Sequence, residues 1–292
     1  MRFHRILFPT DFSPAAARMA PYAREIAQRF HAQVTVLHAF DLVPAYAVPP
    51  HFAGEWEIGS LAAPLTPQFQ ERRQELELRL QEFANREFAG LAHSARVEDG
   101  DAAAVIEWIA QEEASDVIIM PTTGHGRFRR MLLGSITTKV LHDLACPVLT
   151  SAHQLHSATG AAGYGSILCA IEINREAYDI LDAASFLAGA YGARLCVVHV
   201  ESVPAVPNGE QGATESIRHA FQEALNGCAA AGVEASVRVL DASVPEGIRR
   251  TAIEEGADLI VVGRGHQRGT FSRLWSPLYR IICESPCSVL SV

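Results

Sequence analysis

The stretch Ala114–Arg127, ASDVIIMPTTGHGR, returns at Gly256–Arg268 as GADLIVVGRGHQR. Each copy holds an aspartate, a short apolar run and a glycine-bearing loop. A short apolar run bounded by turn signals reads as a strand buried on both faces, as in a parallel sheet. The repetition continues in both directions. RILFPTDFSPAA (5–16) matches SILCAIEINREA (166–177), AQVTVLHA (32–39) matches ARLCVVHV (193–200), and LACPVLT (144–150) matches SPCSVLSV (285–292). Two copies in one order mean a duplicated domain, so each functional question applies to both halves.

The chain of 292 residues has room for two domains, each with its own core. Its apolar runs, such as Val117–Met120 and Leu259–Val262, fall far short of the roughly 20 residues that span a bilayer. No membrane association is therefore expected. The opening MRFHRILFPTDF carries Asp11 and no apolar core of secretory length, which predicts no signal peptide. A net charge of −9 argues against nucleic acid as a partner, because a polyanion needs basic surface. The six cysteines include no CxxC pair. Cys169 and Cys196 sit in strand-like runs as small hydrophobes, and the set suits a reducing cytoplasm.

Periodicity places strands at Ile6–Pro9, Val34–Ala39, Ser94–Val97, Val117–Met120 and Pro147–Thr150. Helices run from Pro14 behind an Ser13 N-cap, from Thr66 to about Phe88, behind Asp101 to Glu113, and from near Gly134. Residues 41–66, rich in proline and holding Tyr46 and Trp56, form either a lid or an irregular cover. Residues 151–165 read as a linker. The second half repeats the order: strands Ile167–Ala170, Leu195–Val200, Ala235–Leu240, Leu259–Val262 and Ser288–Ser291, with helices from Asn174, around Thr214–Ala230, from Pro245 and from Ser276. The expected organisation is a domain at 1–150, the linker 151–165, and a domain at 166–292. Strands alternating with helices imply right-handed crossovers and parallel sheets covered on both faces. Ligands then sit beyond the carboxyl ends of the strands.

In the first half, Asp11 follows the first strand, the loop Pro121–Arg127 follows the fourth, and Gly134-Ser135 opens the next helix. Glycines let backbone amides approach an anion, and a helix N-terminus adds N–H donors and a favourable dipole. The hydroxyls of Ser135 and Thr137 are further candidate donors. A cradle built from backbone tolerates an acidic protein. Asp11 suits a base or ribose rather than phosphate. Turn-shaping glycines with no ligand are the equally weighted alternative.

Both halves resemble universal stress protein domains. Gly124, the nine residues His125–Leu133, and Gly134-Ser135 match the later part of that family's nucleotide loop. PTDFS after the first strand and CPVLT at the end resemble it too. The loop's first glycine falls on Pro121, which has no amide to donate. The resemblance implies two tandem Rossmann-like α/β domains, each a five-stranded parallel sheet of order 3-2-1-4-5 flanked by helices. It implies nucleotide contacts from Asp11, Ala39, Gly124, Gly134, Ser135, Ile136 and Thr137. By their place in the loop, His125, Gly126 and Arg127 are candidate phosphate contacts, with a solvated loop as the preferred alternative. In the second half Glu172 replaces Asp11. The loop departs in either register, with Trp275 in place of Gly134 or His266 in place of the second glycine. That site is expected to be empty, altered or filled from within.

The leading reading is a cytoplasmic stress-response regulator that binds ATP, with or without Mg, or a related adenine nucleotide, in the first half. The second half serves mainly as an intramolecular dimerisation partner, and the partner protein is unknown. No catalytic residue and no metal site is assigned. His38 and His199, equivalent on the second strand, are expected to be hydrogen-bonded structural histidines. A nucleotide-free scaffold is the alternative, and a slow ATPase using Asp11 and His125 ranks below both. The family's habit of pairing through the last strand implies that Pro147–Thr150 meets Ser288–Ser291 within one chain, an intramolecular pseudo-dimer. Association of two chains as a homodimer stays open.

Overall fold

The computed structural model of the chain describes residues 3–40, 66–122, 133–151, 163–172, 177–201, 226, 232–264 and 277–292. Residues 41–65, Gly124–Arg127, Gly265–Arg268, Trp275, most of the linker, and all of the Thr214–Ala230 segment except Asn226 lie outside them. The chain packs as two compact units, Phe3–Ile119 and Met120–Val292.

The first unit contains β1 (Arg5–Pro9), α1 (Pro14–Phe30), β2 (Gln33–Phe40), α2 (Thr66–Glu87), β3 (His93–Asp99), α3 (Ala102–Glu112) and β4 (Val117–Met120), which ends at its boundary. The strands lie in the order β3-β2-β1-β4 and pair in parallel. Burial follows position in the sheet. Ile6, Leu7 and Phe8 of β1 and Val117, Ile118 and Ile119 of β4 are buried, whereas edge strand β3 is mostly half-exposed. This is the pattern expected when helices cover both faces of the central strands.

Local chemistry sets the helix ends. Ser13 has extended backbone, and its hydroxyl accepts the Ala16 N–H at 3.2 Å. Pro14 follows at the first helical position, where a missing N–H costs nothing. α1 buries Ala16, Met19, Ala20, Ala23, Ile26 and Ala27, a stripe at helical spacing, and closes at His31 in the left-handed region (φ 52°). Asp101 caps α3 by accepting from Ala104 N at 3.2 Å.

The second unit contains α4 (Ser135–Asp143), β5 (Val148–Thr150), β6 (Ser166–Ala170), α5 (Ala177–Tyr191), β7 (Arg194–Glu201), β8 (Ala235–Asp241), α6 (Val244–Glu254), β9 (Leu259–Val262), α7 (Pro277–Glu284) and β10 (Ser288–Ser291). Its sheet order is β5-β10-β9-β6-β7-β8. Read within the second repeat, the strands β6 to β10 take the order 3-2-1-4-5, all parallel. The same packing devices recur. Asp116 accepts the amides of His4 and Arg5, and Asp258 those of Gly165 and Ser166. Arg96 bridges Glu98, Glu112 and Glu113 in the first unit, while Arg238 bridges Glu254 and Glu255 in the second.

β5 belongs to the first repeat yet pairs with β10, antiparallel, through Val148↔Ser291, Leu149↔Leu290 and Thr150↔Val289. These are the two strands expected to meet from the sequence. Leu149 and Leu290 are equivalent residues of the two repeats, so the pair is centred on itself. The side chains repeat that symmetry: Thr150 Oγ1 donates to the Val289 carbonyl and Ser291 Oγ to that of Val148, each at 3.3 Å. Both hydroxyls are 0% exposed, so each bond satisfies a group that burial would otherwise penalise. The pairing also removes two open strand edges, and it carries the end of the first repeat into the unit of the second.

Among the described residues, no helix is long and apolar enough to cross a membrane. Truncating either central leucine, Leu149→Ala or Leu290→Ala, is expected to cost about 2–4 kcal/mol. Thr150→Val is expected to cost about 1 kcal/mol through one lost hydrogen bond. Urea unfolding midpoints measure all three.

Candidate functional site

In the unit Phe3–Ile119, the carboxyl ends of β1 and β2 carry Thr10–Phe12 and His38–Phe40. Thr10 N donates to the Leu37 carbonyl at 2.8 Å, extending the parallel ladder by one residue. The backbone then turns sharply. Phe12 takes a left-handed φ of 59°, its N–H donating to Thr10 Oγ1 at 3.0 Å, and Asp11 Oδ1 accepts the Ser13 N–H at 2.9 Å. The strained φ sets the Phe12 ring against His38, with centroids 4.5 Å apart. The Arg79 guanidinium lies 4.2 Å from the Phe12 centroid, a cation–π contact. Asp11 and Ala39 are both half-exposed at this edge.

His38 Nδ1 donates to the Thr10 carbonyl at 2.8 Å. A carbonyl only accepts, so the proton sits on Nδ1 and the neutral ring keeps its lone pair on Nε2. Burial holds His38 below the ordinary histidine value. The Arg79 charge pushes the same way, against the Thr10 carbonyl and Asp11. In the second repeat His199 Nδ1 makes the same bond to the Ile171 carbonyl at 3.0 Å. One bond made twice marks these as joints between the first and second strands of each repeat.

In the unit Met120–Val292, the expected phosphate turn is the entry to α4. Gly134 is its N-cap and provides no side-chain cap. The Gly134 N–H donates to the Thr122 carbonyl at 2.8 Å, so this amide is spent within the protein. Thr137 is 4% exposed, and its hydroxyl donates to the Pro121 carbonyl at 3.1 Å. Pro121 lacks an amide, yet its carbonyl anchors the first turn of the helix. Thr137 therefore braces the turn and does not offer its proton outward, a refinement of the expected donor set. Ser135 is exposed and Ile136 is 40% exposed. Their N–H groups, at the first two helical positions, have no intrahelical partner by geometry. With the Ser135 hydroxyl they are the candidate donors of this turn, and a helix N-terminus of this kind favours anions.

The second repeat is built differently at the matching places. Glu172 is exposed. At Gly263, opposite Pro121 in the repeat, an added Cβ would lie 2.5 Å from Ile180 Cδ1. The space beside the end of β9 is thus occupied by an Ile180 side chain. Sequence reasoning also passed over two residues here, Arg264 and Tyr279, whose side chains reach into the first repeat's elements. Arg264 donates to the carbonyls of Leu144 and Cys146, and Tyr279 accepts the Leu133 N–H at 3.2 Å. The only sequence signal was size: an arginine and a tyrosine stand where the first copy has Thr122 and Thr138.

A profile of the universal stress protein family matches the chain twice, at residues 2–151 and 163–292. A universal stress protein of Methanocaldococcus jannaschii, MJ0531, is 30% identical over 147 residues, which is 50% of this chain and 81% of that protein. One from Thermus aquaticus, encoded beside a QAH/OAS sulfhydrylase, is 31% identical over 147 residues, 50% of this chain and 97% of its own. The crystal structure of a universal stress protein from Archaeoglobus fulgidus aligns over 99% of this chain and 96% of its own, with TM-score 0.68 and 22% identity, a likeness of fold.

His38 provides a pH test. Its folded-state value lies below that of the unfolded chain, so folding excludes a proton that the unfolded histidine binds. This contribution is fully present above about pH 6.5 and is lost as pH falls below that toward and through the lower folded-state value. The expected result is an NMR titration midpoint for His38 below the free-histidine value. A His38→Gln variant should show a shallower loss of stability between pH 7.5 and 5.5.

Proposed function

The chain belongs to the universal stress protein family, and on that premise we propose that it is a stress-response regulator that holds ATP, or a related adenine nucleotide, through its first repeat. The observation that carries this reading is the entry to α4, where Gly134 provides no side-chain cap and Ser135 and Ile136 are exposed at the first two helical positions. Their amides and the Ser135 hydroxyl take phosphate oxygens. Gly134 keeps the approach narrow, and Thr137 fixes the turn from beneath. The family resemblance assigns the nucleoside to Asp11 and Ala39. Gly124, His125, Gly126 and Arg127 supply further phosphate contacts, and Mg accompanies the phosphates as their counter-ion.

The chemistry proposed is binding and not turnover. Oriented amides stabilise an anion, but hydrolysis also needs a group that positions the attacking water. The second repeat, with Ile180 packed beside Gly263, acts mainly as an intramolecular dimerisation partner through β10. Burial pushes up the thiols of Cys196, Cys283 and Cys287, the last to about 12, which makes them unreactive; the proposed setting is the cytoplasm. A second reading, a scaffold without nucleotide, draws on Pro121, which withdraws one amide from the turn.

Ser135→Pro separates them. Proline is favoured at the first helical position, and Gly134 already has the extended backbone (φ −61°, ψ 149°) that a following proline requires. The variant keeps α4 but removes an amide and a hydroxyl donor. ATP affinity by calorimetry is expected to fall at least about tenfold, and less for Ser135→Ala, given roughly 1.5–3 kcal/mol per hydrogen bond to a charged group. Adenine nucleotide released on heat-denaturing the purified wild type is the companion measurement. No released nucleotide, together with no thermal shift on adding ATP and Mg, would leave the scaffold reading standing.

A further inference from the structure

Both ends of α4 are held by the second repeat. On the N-terminal side, the N–H of Leu133, the residue before the N-cap, donates to the hydroxyl of Tyr279 on α7 at 3.2 Å. Tyr279 is buried, one turn before Cys283 on α7. On the C-terminal side, Arg264 follows β9 and turns its guanidinium onto the carbonyls of Leu144, the C-cap of α4, and Cys146, with the Ser291 carbonyl at 3.5 Å. A cation at this end complements the helix dipole. Burial lowers the Arg264 pKa to about 10, which still leaves it charged at neutral pH.

The repeat shows that both contacts are additions. Aligning Asp116 with Asp258 sets Arg264 against Thr122. Aligning Cys146 with Cys287 sets Tyr279 against Thr138. The threonines work within their own copy: the Thr122 carbonyl receives Gly134 N at 2.8 Å, and Thr138 Oγ1 donates to the Gly134 carbonyl at 2.9 Å. Their larger counterparts reach out of the second copy and grip the helix that begins at Gly134-Ser135.

We propose that Tyr279 and Arg264 are positioning residues for the phosphate-binding turn of the first repeat. Fixing α4 at both ends holds the Ser135 and Ile136 amides in one orientation, so little order is lost when phosphate arrives. The inference rests on the nucleotide reading above. It assigns the second repeat a direct part in that site.

The test uses the full chain with MgATP, and with adenosine measured by competition. Tyr279→Phe keeps the ring and deletes only the hydroxyl. Arg264→Lys keeps the charge but loses the planar fork that reaches two carbonyls. Each is expected to weaken ATP binding about three- to tenfold, within the range of one hydrogen bond, while adenosine affinity stays unchanged. Tyr279→Phe should also speed amide exchange at Leu133 in the nucleotide-free chain. Equal weakening of ATP and adenosine would indicate a general structural effect and overturn the proposal. Wild-type ATP affinity in both variants would overturn it while leaving the nucleotide reading intact. A wild-type chain that takes no ATP would overturn both.

Discussion

The antiparallel meeting of β5 with β10 is the constraint on which the rest depends. A parallel sheet of this kind ends in a strand with one unpaired edge, and an unpaired edge invites association. Here each repeat's last strand becomes the other's neighbour through residues equivalent in the duplication. The bonds are reciprocal: Thr150 to the Val289 carbonyl and Ser291 to that of Val148. Because these strands are buried, their side chains read like core although they lie at repeat ends. The same pairing explains why the compact units divide at Ile119 and Met120 and not in the linker.

With the end strands joined, the copies share architecture and differ at the carboxyl ends of their strands. The Asp116 and Asp258 clamps, the His38 and His199 joints, and the Arg96 and Arg238 ion pairs occur in both. All serve packing. The differences gather where ligands approach such sheets: Asp11 against Glu172, Pro121 against Gly263, Thr122 against Arg264. At the sequence level these look like decay of a second binding loop. In the structure the changed residues have new tasks, with Ile180 packed beside Gly263 and Arg264 set on the end of α4.

Much of the fold was legible because buried parallel strands are written as short apolar runs. Val117–Met120, Leu259–Val262 and Ser288–Ser291 fall where periodicity set them. Elsewhere boundaries moved by a residue or a few. β2 extends to Gln33 and Phe40 because ladder pairing continues past the last apolar residue. Helix starts were legible through Ser13 and Asp101, whose hydrogen-bonding roles follow from residue type. The site was less legible. Nothing in the residue types says that the Gly134 amide is spent on Thr122 or that the Thr137 hydroxyl turns inward, since both depend on the path of a loop. Tyr279 and Arg264 were missed because their partners, Leu133, Leu144 and Cys146, lie in the other copy and offer only backbone atoms.

The β5–β10 joint also orders events during synthesis. Leu149 leaves the ribosome long before Leu290, its cross-strand partner. Until Ser288–Ser291 emerges, the first copy carries a finished strand with no neighbour on one side. Contacts this distant in sequence form late and slowly. The surroundings of the first copy's β5 are therefore completed only once β10 has been made. A nascent chain interrupted before β10 exposes an adhesive edge.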